Sequence, residues 1–138
     1  MTKTNYKFYK DHKFMVVDDD DRLRNQAIGV LCDIGFSKAA ITPAVDGKDA
    51  LKKLDQQIDI EFFVIDLVMP NMNGLELLNE LKTNPKYEKY KNIPKLVLSS
   101  ESDANIILNA VESGANSYLN KPCEAYMLAK KLFECVSK

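Results

Sequence analysis

One histidine, three cysteines, no long apolar run and almost no net charge leave little room for several common chemistries in these 138 residues. With His12 alone, a histidine-rich zinc site and a Ser-His-Asp triad are both disfavoured. Cys32, Cys123 and Cys135 are odd in number and keep no metal-ligand spacing. Cys32 and Cys135 fall on apolar helix faces, so they read as buried thiols in a reducing compartment. No stretch is long and apolar enough to cross a bilayer, and the polar start does not resemble a signal peptide. The expectation is a cytoplasmic protein. A net charge of −1 offers no general attraction for nucleic acid or an anionic membrane. Residues 1–12 do carry Lys3, Lys7 and Lys10 among Tyr6, Phe8 and Tyr9, a pattern that can stack on bases. A leader before the first strand is the simpler reading. Repeats and low-complexity tracts are missing, so the division is a 1–12 extension and one domain over 13–138, with no output domain.

What is present is organised around Phe62-Phe63-Val64-Ile65-Asp66 and the loop that follows it. Four apolar residues in a row describe a strand buried on both faces, as in the middle of a parallel sheet. Pro70 and Gly74 punctuate the loop, and Leu75, Leu77, Leu78 and Leu81 open a helix. Phe14 to Val17 form an earlier strand that ends in Asp18-Asp19-Asp20-Asp21. Leu23, Ala27, Val30, Leu31 and Ile34 repeat at helical spacing up to Gly35. Residues 41–45 form a strand whose Pro43 consigns it to a sheet edge, and Asp46 caps a helix with Ala50, Leu51 and Leu54 inward.

Residues 83–94, with two prolines and Lys86, Lys89 and Lys91, read as a surface connection with a solvated lysine face. Leu96-Val97-Leu98 is a fourth strand ending in Ser99-Ser100. Ser102 or Asp103 caps a helix with Ile106, Ile107, Ala110 and Val111 inward and Gly114 as its stop. Ser117-Tyr118-Leu119 is a short fifth strand, and a last helix carries Leu128, Ala129, Leu132, Phe133 and Val136 on one face. Five strands alternating with five helices predict a flavodoxin-like three-layer sandwich, a five-stranded parallel sheet in order 2-1-3-4-5.

In that sheet Asp18, Asp19 and Asp66 leave neighbouring strands together. Two unit charges about 4 Å apart cost roughly 4 kcal/mol at an effective dielectric of 20, so three carboxylates call for a cation. Few, hard oxygen ligands favour Mg2+, with Mn2+ as a substitute. Ser99 and Lys121 bring a hydroxyl and an ammonium to the same end of the sheet. Singly, each has a plain structural explanation: a helix cap, a turn or a surface lysine. Their agreement on one crevice describes a phosphoryl-binding site with Asp66 as the nucleophile, Ser99 bonding a phosphoryl oxygen and Lys121 neutralising its charge.

From Lys13 onward the chain resembles response-regulator receiver domains, and among them it is most similar to the single-domain chemotaxis members. The matching stretches are residues 13–19, Asp66 with Met69-Pro70-Asn71-Met72-Asn73-Gly74, Leu96 to Glu101, and Gly114-Ala115 with Tyr118 and Lys121-Pro122. The resemblance implies that Asp66 accepts a phosphoryl group from a histidine kinase. It implies that Asp19 ligates Mg2+ directly, Asp18 mainly through water, and Val68 through its backbone carbonyl. Ser99 corresponds to the switch hydroxyl, usually a threonine, and Tyr118 to the aromatic residue that moves with it. A cis Lys121-Pro122 bond is also implied. Val68 is apolar where the chemotaxis members carry an amide, on the path of the water that attacks the phosphoryl group.

The implied function is a stand-alone, phosphorylation-controlled switch that repacks the face built by residues 102–138 for a protein target. Chemotaxis-type signalling is favoured, with a phosphorelay shuttle or docking receiver as the alternative. A remoter alternative takes Asp18-Asp19-Asp20 as the motif of a haloacid-dehalogenase-like phosphatase, with Asp18 attacking and Asp20 as general acid.

Overall fold

The three central strands are buried along their whole length, and this is what fixes the sheet. The computed structural model describes residues 12–67, 69, 72–99, 104–120 and 125–136, with the backbone alone for 125, 133, 135 and 136. In chain order the elements are β1 (Phe14–Val17), α1 (Asp21–Ile34), β2 (Ile41–Ala44), α2 (Gly47–Leu54), β3 (Phe62–Asp66), α3 (Gly74–Thr83), β4 (Lys95–Ser99), α4 (Ala104–Glu112), β5 (Ser117–Asn120) and α5 (Ala125–Val136). The strands pair in the order β2-β1-β3-β4-β5, and every pairing is parallel.

Alternation along the strands divides the interior into two layers. Met15, Val17, Phe63, Ile65 and Val97 face one side with Leu54, Leu77, Leu78 and Leu81. Phe14, Val16, Phe62, Val64 and Leu96 face the other with Ala27, Leu31, Leu128 and Leu132. Both faces are therefore covered, which explains why the central strands are unbroken apolar runs rather than alternating ones. β2 lies at an edge with β1 as its strand partner, which accommodates Pro43.

Several helix boundaries follow the sequence signals. The Asp46 side chain accepts from the amide of Asp49 at 2.7 Å and caps α2. Gly35 and Gly114 adopt φ of 122° and 113°, a region that disfavours side chains, and their amides donate to Cys32 O at 3.0 Å and Val111 O at 3.1 Å. Asn73 and Glu76 form a reciprocal capping box at the start of α3.

Several expectations need correction. Residues 83–94 are more than a surface connection, because a 3-10 helix over Pro85–Tyr90 drives Tyr87 and Tyr90 into the core. Their hydroxyls donate to Asp55 at 2.8 Å and to the carbonyl of Ile58 at 2.6 Å, so these rings bury without orphaning a polar group. Lys86 and Lys89 are exposed, as a solvated face requires, and each also pairs with a carboxylate at 3.0 Å, Asp55 and Asp59 respectively.

Val111 does not point inward. It is 49% exposed, because one residue beyond buried Ala110 turns about 100° around the helix. The second strand stops at Ala44 and leaves Val45 exposed, while the fourth starts one residue early, at a buried Lys95. Cys32 is only partly buried. The Ser102 or Asp103 cap, Cys123, the Cys135 side chain, Phe133, Val136 and the Lys121-Pro122 bond lie outside the described residues or side chains.

Candidate functional site

Strand register brings the acidic residues together. Val17 lies opposite Ile65 across β1 and β3, so Asp18 and Asp66 occupy the next level side by side at the carboxyl ends. Asp66 in turn lies opposite Leu98, which puts Ser99 one residue further along on β4, opposite Asn120 of β5. Carboxylate oxygens of Asp18, Asp19 and Asp66 all lie within 4.8 Å of one another. Asp18 and Asp66 are buried, at 5% and 8% exposure, Ser99 is fully buried, and Asp19 faces solvent. Tyr118 is partly buried, packed against the layer that holds Ile65 and Val97.

Local backbone bonds hold the acids in place. The amide of Asp20 donates to Asp18 Oδ1 at 3.0 Å, and the amide of Asp18 donates to Ala44 O at 3.1 Å. Asp20 spends its own carboxylate on the N-terminus of α1, accepting from the amide of Leu23 at 3.1 Å. That engagement is the ordinary role of a helix-capping aspartate. The Arg24 guanidinium reaches back from α1 to the carbonyl of Asp18 at 2.8 Å and also pairs with Asp21.

Two glycines position the loop after Asp66, and sequence reading missed one role and undervalued the other. A Cβ at Gly74 would sit 2.3 Å from the Asp66 carbonyl oxygen and 2.8 Å from Leu67 Cα. Those are backbone atoms and cannot swing aside. The Gly74 amide donates to Leu67 O at 2.9 Å, closing the loop on itself. On the other flank the Gly47 amide donates to Met72 O at 2.9 Å, and a Cβ there would lie 2.7 Å from that oxygen. Gly74 was legible only as turn punctuation, and Gly47 only as the residue after a cap. Arg24 carried no signal, because its target is a backbone carbonyl.

Lys121 and Val68, the predicted phosphoryl-binding and carbonyl ligands, lie outside the described residues. The donors that are described fit a small, hard cation: three carboxylates from two neighbouring strand ends, two buried and one open to solvent. Uncompensated, such proximity is repulsive, so the arrangement suits a divalent ion that retains part of its water shell.

Comparison with known proteins places this geometry among relatives. A family model for the response regulator receiver domain matches residues 14–133. Chemotaxis protein CheY-3 of Vibrio cholerae is 34% identical over 123 residues, covering 89% of this chain and 90% of that protein. Chemotaxis protein CheY1 of Helicobacter pylori is 30% identical over 120 residues, covering 87% and 93%. Among solved structures, that of Vibrio cholerae CheY4 superposes with a TM-score of 0.77 at 27% identity, covering 90% of this chain and 98% of that one.

Proposed function

This chain belongs to the response regulator receiver family, and from that premise we propose that Asp66 accepts a phosphoryl group from a histidine kinase in the presence of Mg2+. Receiver domains of this kind are signalling proteins rather than classical enzymes. The observation that carries the proposal is the cluster of Asp18, Asp19 and Asp66 at the strand ends. Asp18, Asp19 and Asp66, with the backbone carbonyl of Val68, would hold the ion. Bound there, it supplies positive charge to the oxygens of the transferring group.

The chain's own groups do the rest. A carboxylate oxygen of Asp66 attacks phosphorus; the P–N bond to the donor histidine breaks, and its electron pair stays on the imidazole. Hydrolysis later returns the carboxylate and releases inorganic phosphate. Gly74 and Gly47 hold the adjoining loop close enough to keep Asp66 in register. Ser99, buried one level beyond Asp66, hydrogen-bonds a phosphoryl oxygen, and Lys121 pairs with another. Tyr118, packed on the same layer, follows Ser99 into a second rotamer. Phosphorylation then shifts a population between two packings of the segment after Ser99.

A protein target reads the change on the face built by residues 102–138. Exposed apolar side chains there support this: Leu108 at 54%, Val111 at 49% and Tyr126 at 64%. The similarity to chemotaxis proteins favours a target of that pathway over a shuttle role. Asp66→Asn offered radiolabelled acetyl phosphate with Mg2+ should take up no label. Undiminished labelling of that variant overturns the assignment.

A further inference from the structure

At the pole of the sheet opposite the carboxylates, a cavity of about 280 Å3 opens between the end of α3, the start of β4 and the turn after α4. Lys82, Lys91 and Lys95 line it together with Asn92, Ser113 and Asn116, and no acidic residue is among the described residues of its walls. Three lysines lining one concavity are unexpected in a chain whose net charge is −1. Some lysines elsewhere are matched, Lys53 to Asp49, Lys86 to Asp55 and Lys89 to Asp59, whereas the cavity gathers three with no carboxylate partner among the described residues.

Lys95 is the anomalous member. It is 2% exposed, on a central strand. Its ammonium donates to the carbonyls of Tyr90 at 2.9 Å, Lys91 at 3.1 Å and Ile93 at 2.6 Å, and lies 5.6 Å from the Phe63 ring centroid. These partners satisfy its hydrogen bonds but not its charge, since all three are carbonyl dipoles. Buried charges are ordinarily paired with an opposite charge. Burial accordingly drives this lysine down to about 8.

We propose that this cavity binds a small multivalent anion, a phosphate ester or polycarboxylate, with Lys82 and Lys91 as direct partners and Lys95 as the fixed charge behind them. The hydroxyl of Ser113 and the Asn92 amide supply further hydrogen-bonding groups on the rim. The volume is at the small end of ligand pockets, which suits a compact anion and excludes a nucleotide-sized one. The site also bears on the switch segment. Lys82 Nζ donates to the carbonyl of Glu112 at 2.5 Å, at the end of α4, and the amide of Lys95 donates to Asn116 Oδ1 at 2.9 Å. An anion seated there ties α3, β4 and the end of α4 together.

The test titrates the metal-free full chain with pyrophosphate and, separately, with citrate, following backbone amide NMR shifts. Saturable shifts centred on Ser113, Gly114 and Asn116 are expected from at least one of the two, and which one responds assigns the ligand chemistry. Lys91→Gln should weaken binding about tenfold, the worth of one charge-assisted contact. Lys86→Gln, whose lysine pairs with Asp55 away from the cavity, should change nothing. Lys95→Met should abolish binding if it folds, and the exposed Lys91→Gln carries the test if it does not. The proposal is overturned by no saturation up to about 10 mM. It is equally overturned by unchanged affinity in Lys91→Gln, or by shifts confined to the Asp18 and Asp66 strand ends.

Discussion

Replacing Asp19 by asparagine should stabilise the metal-free protein, the opposite of what most substitutions do. Asp19 faces solvent and makes no hydrogen bond among the described residues, so the change removes charge without removing a cap or a packed group. Its oxygens lie within 4.8 Å of those of Asp18 and Asp66, so each pair repels by about 0.9 kcal/mol at the dielectric of water and about 3.5 kcal/mol at an effective value of 20. Solvent reaches Asp19, and salt screens it further, so the lower figure governs. Relief of both repulsions should then amount to about 1–2 kcal/mol, or about 4–8 °C in Tm for a domain of this size.

Mg2+ should reverse the ranking. An ion held at a hundredfold excess over its Kd stabilises the native state by about 2.7 kcal/mol, and Asp19→Asn forfeits most of that. Thermal denaturation of both proteins, once with EDTA and once with excess MgCl2, therefore yields curves that cross: the variant melts higher without metal and lower with it. Equal melting in EDTA, or a Mg2+ response retained in full by the variant, refutes the reasoning. Either result would mean that the three carboxylates do not share one electrostatic site.

Gly74→Ala should lower stability by about 1–3 kcal/mol and slow phosphorylation of Asp66, because the new methyl meets the Asp66 carbonyl at 2.3 Å and only a backbone shift relieves it; urea midpoints and labelling rates check the two effects. Asn73→Ala breaks the capping box at the same loop and should cost about 1 kcal/mol, with labelling little changed. Burial holds Lys95 at about 8, against 10.5 for the exposed side chain, so between these values the unfolded chain binds more protons and stability rises with pH, by at most about 3 kcal/mol. Tyr87, pushed up to about 12 by burial and by Asp55, opposes this above about pH 10. Urea midpoints at intervals between pH 7 and 10 should show the rise in the native protein and a flatter profile in Lys95→Met.

The acid cluster was legible because a central parallel strand writes itself as an apolar run, and the first polar residue after it marks the carboxyl end. Asp18 and Asp66 satisfy that rule, and the strand order alone makes them neighbours. Pro43 likewise announced an edge strand. Lys95 was illegible because a lysine inside a strand contradicts the burial rule unless the preceding turn aims three carbonyls at it. That turn follows the 3-10 helix that buries Tyr87 and Tyr90. Val111 failed for a different reason: Ile106, Ile107 and Ala110 already define the inward face at i, i+3 and i+4 spacing, and Val111 lies one residue, about 100°, beyond it.

The looseness of α4 bears on how a phosphoryl charge can act at all. α3 buries Leu77, Leu78 and Leu81, and at about 1.5–3 kcal/mol per buried leucine it is held by several kcal/mol of apolar burial. α4 fully buries only Ala110 and leaves Leu108 and Val111 in solvent. The central strands cannot yield, since both of their faces are packed. On the proposed function, a charge at Asp66 should therefore move α4, which has little burial to lose. α4 follows Ser99 in the chain at one end and is tied by Lys82 to α3 at the other. On the proposed function, its weak anchoring would let a charge at Asp66 move it, and the lysine-lined cavity beneath its last turn is where a second ligand would oppose or reinforce that motion.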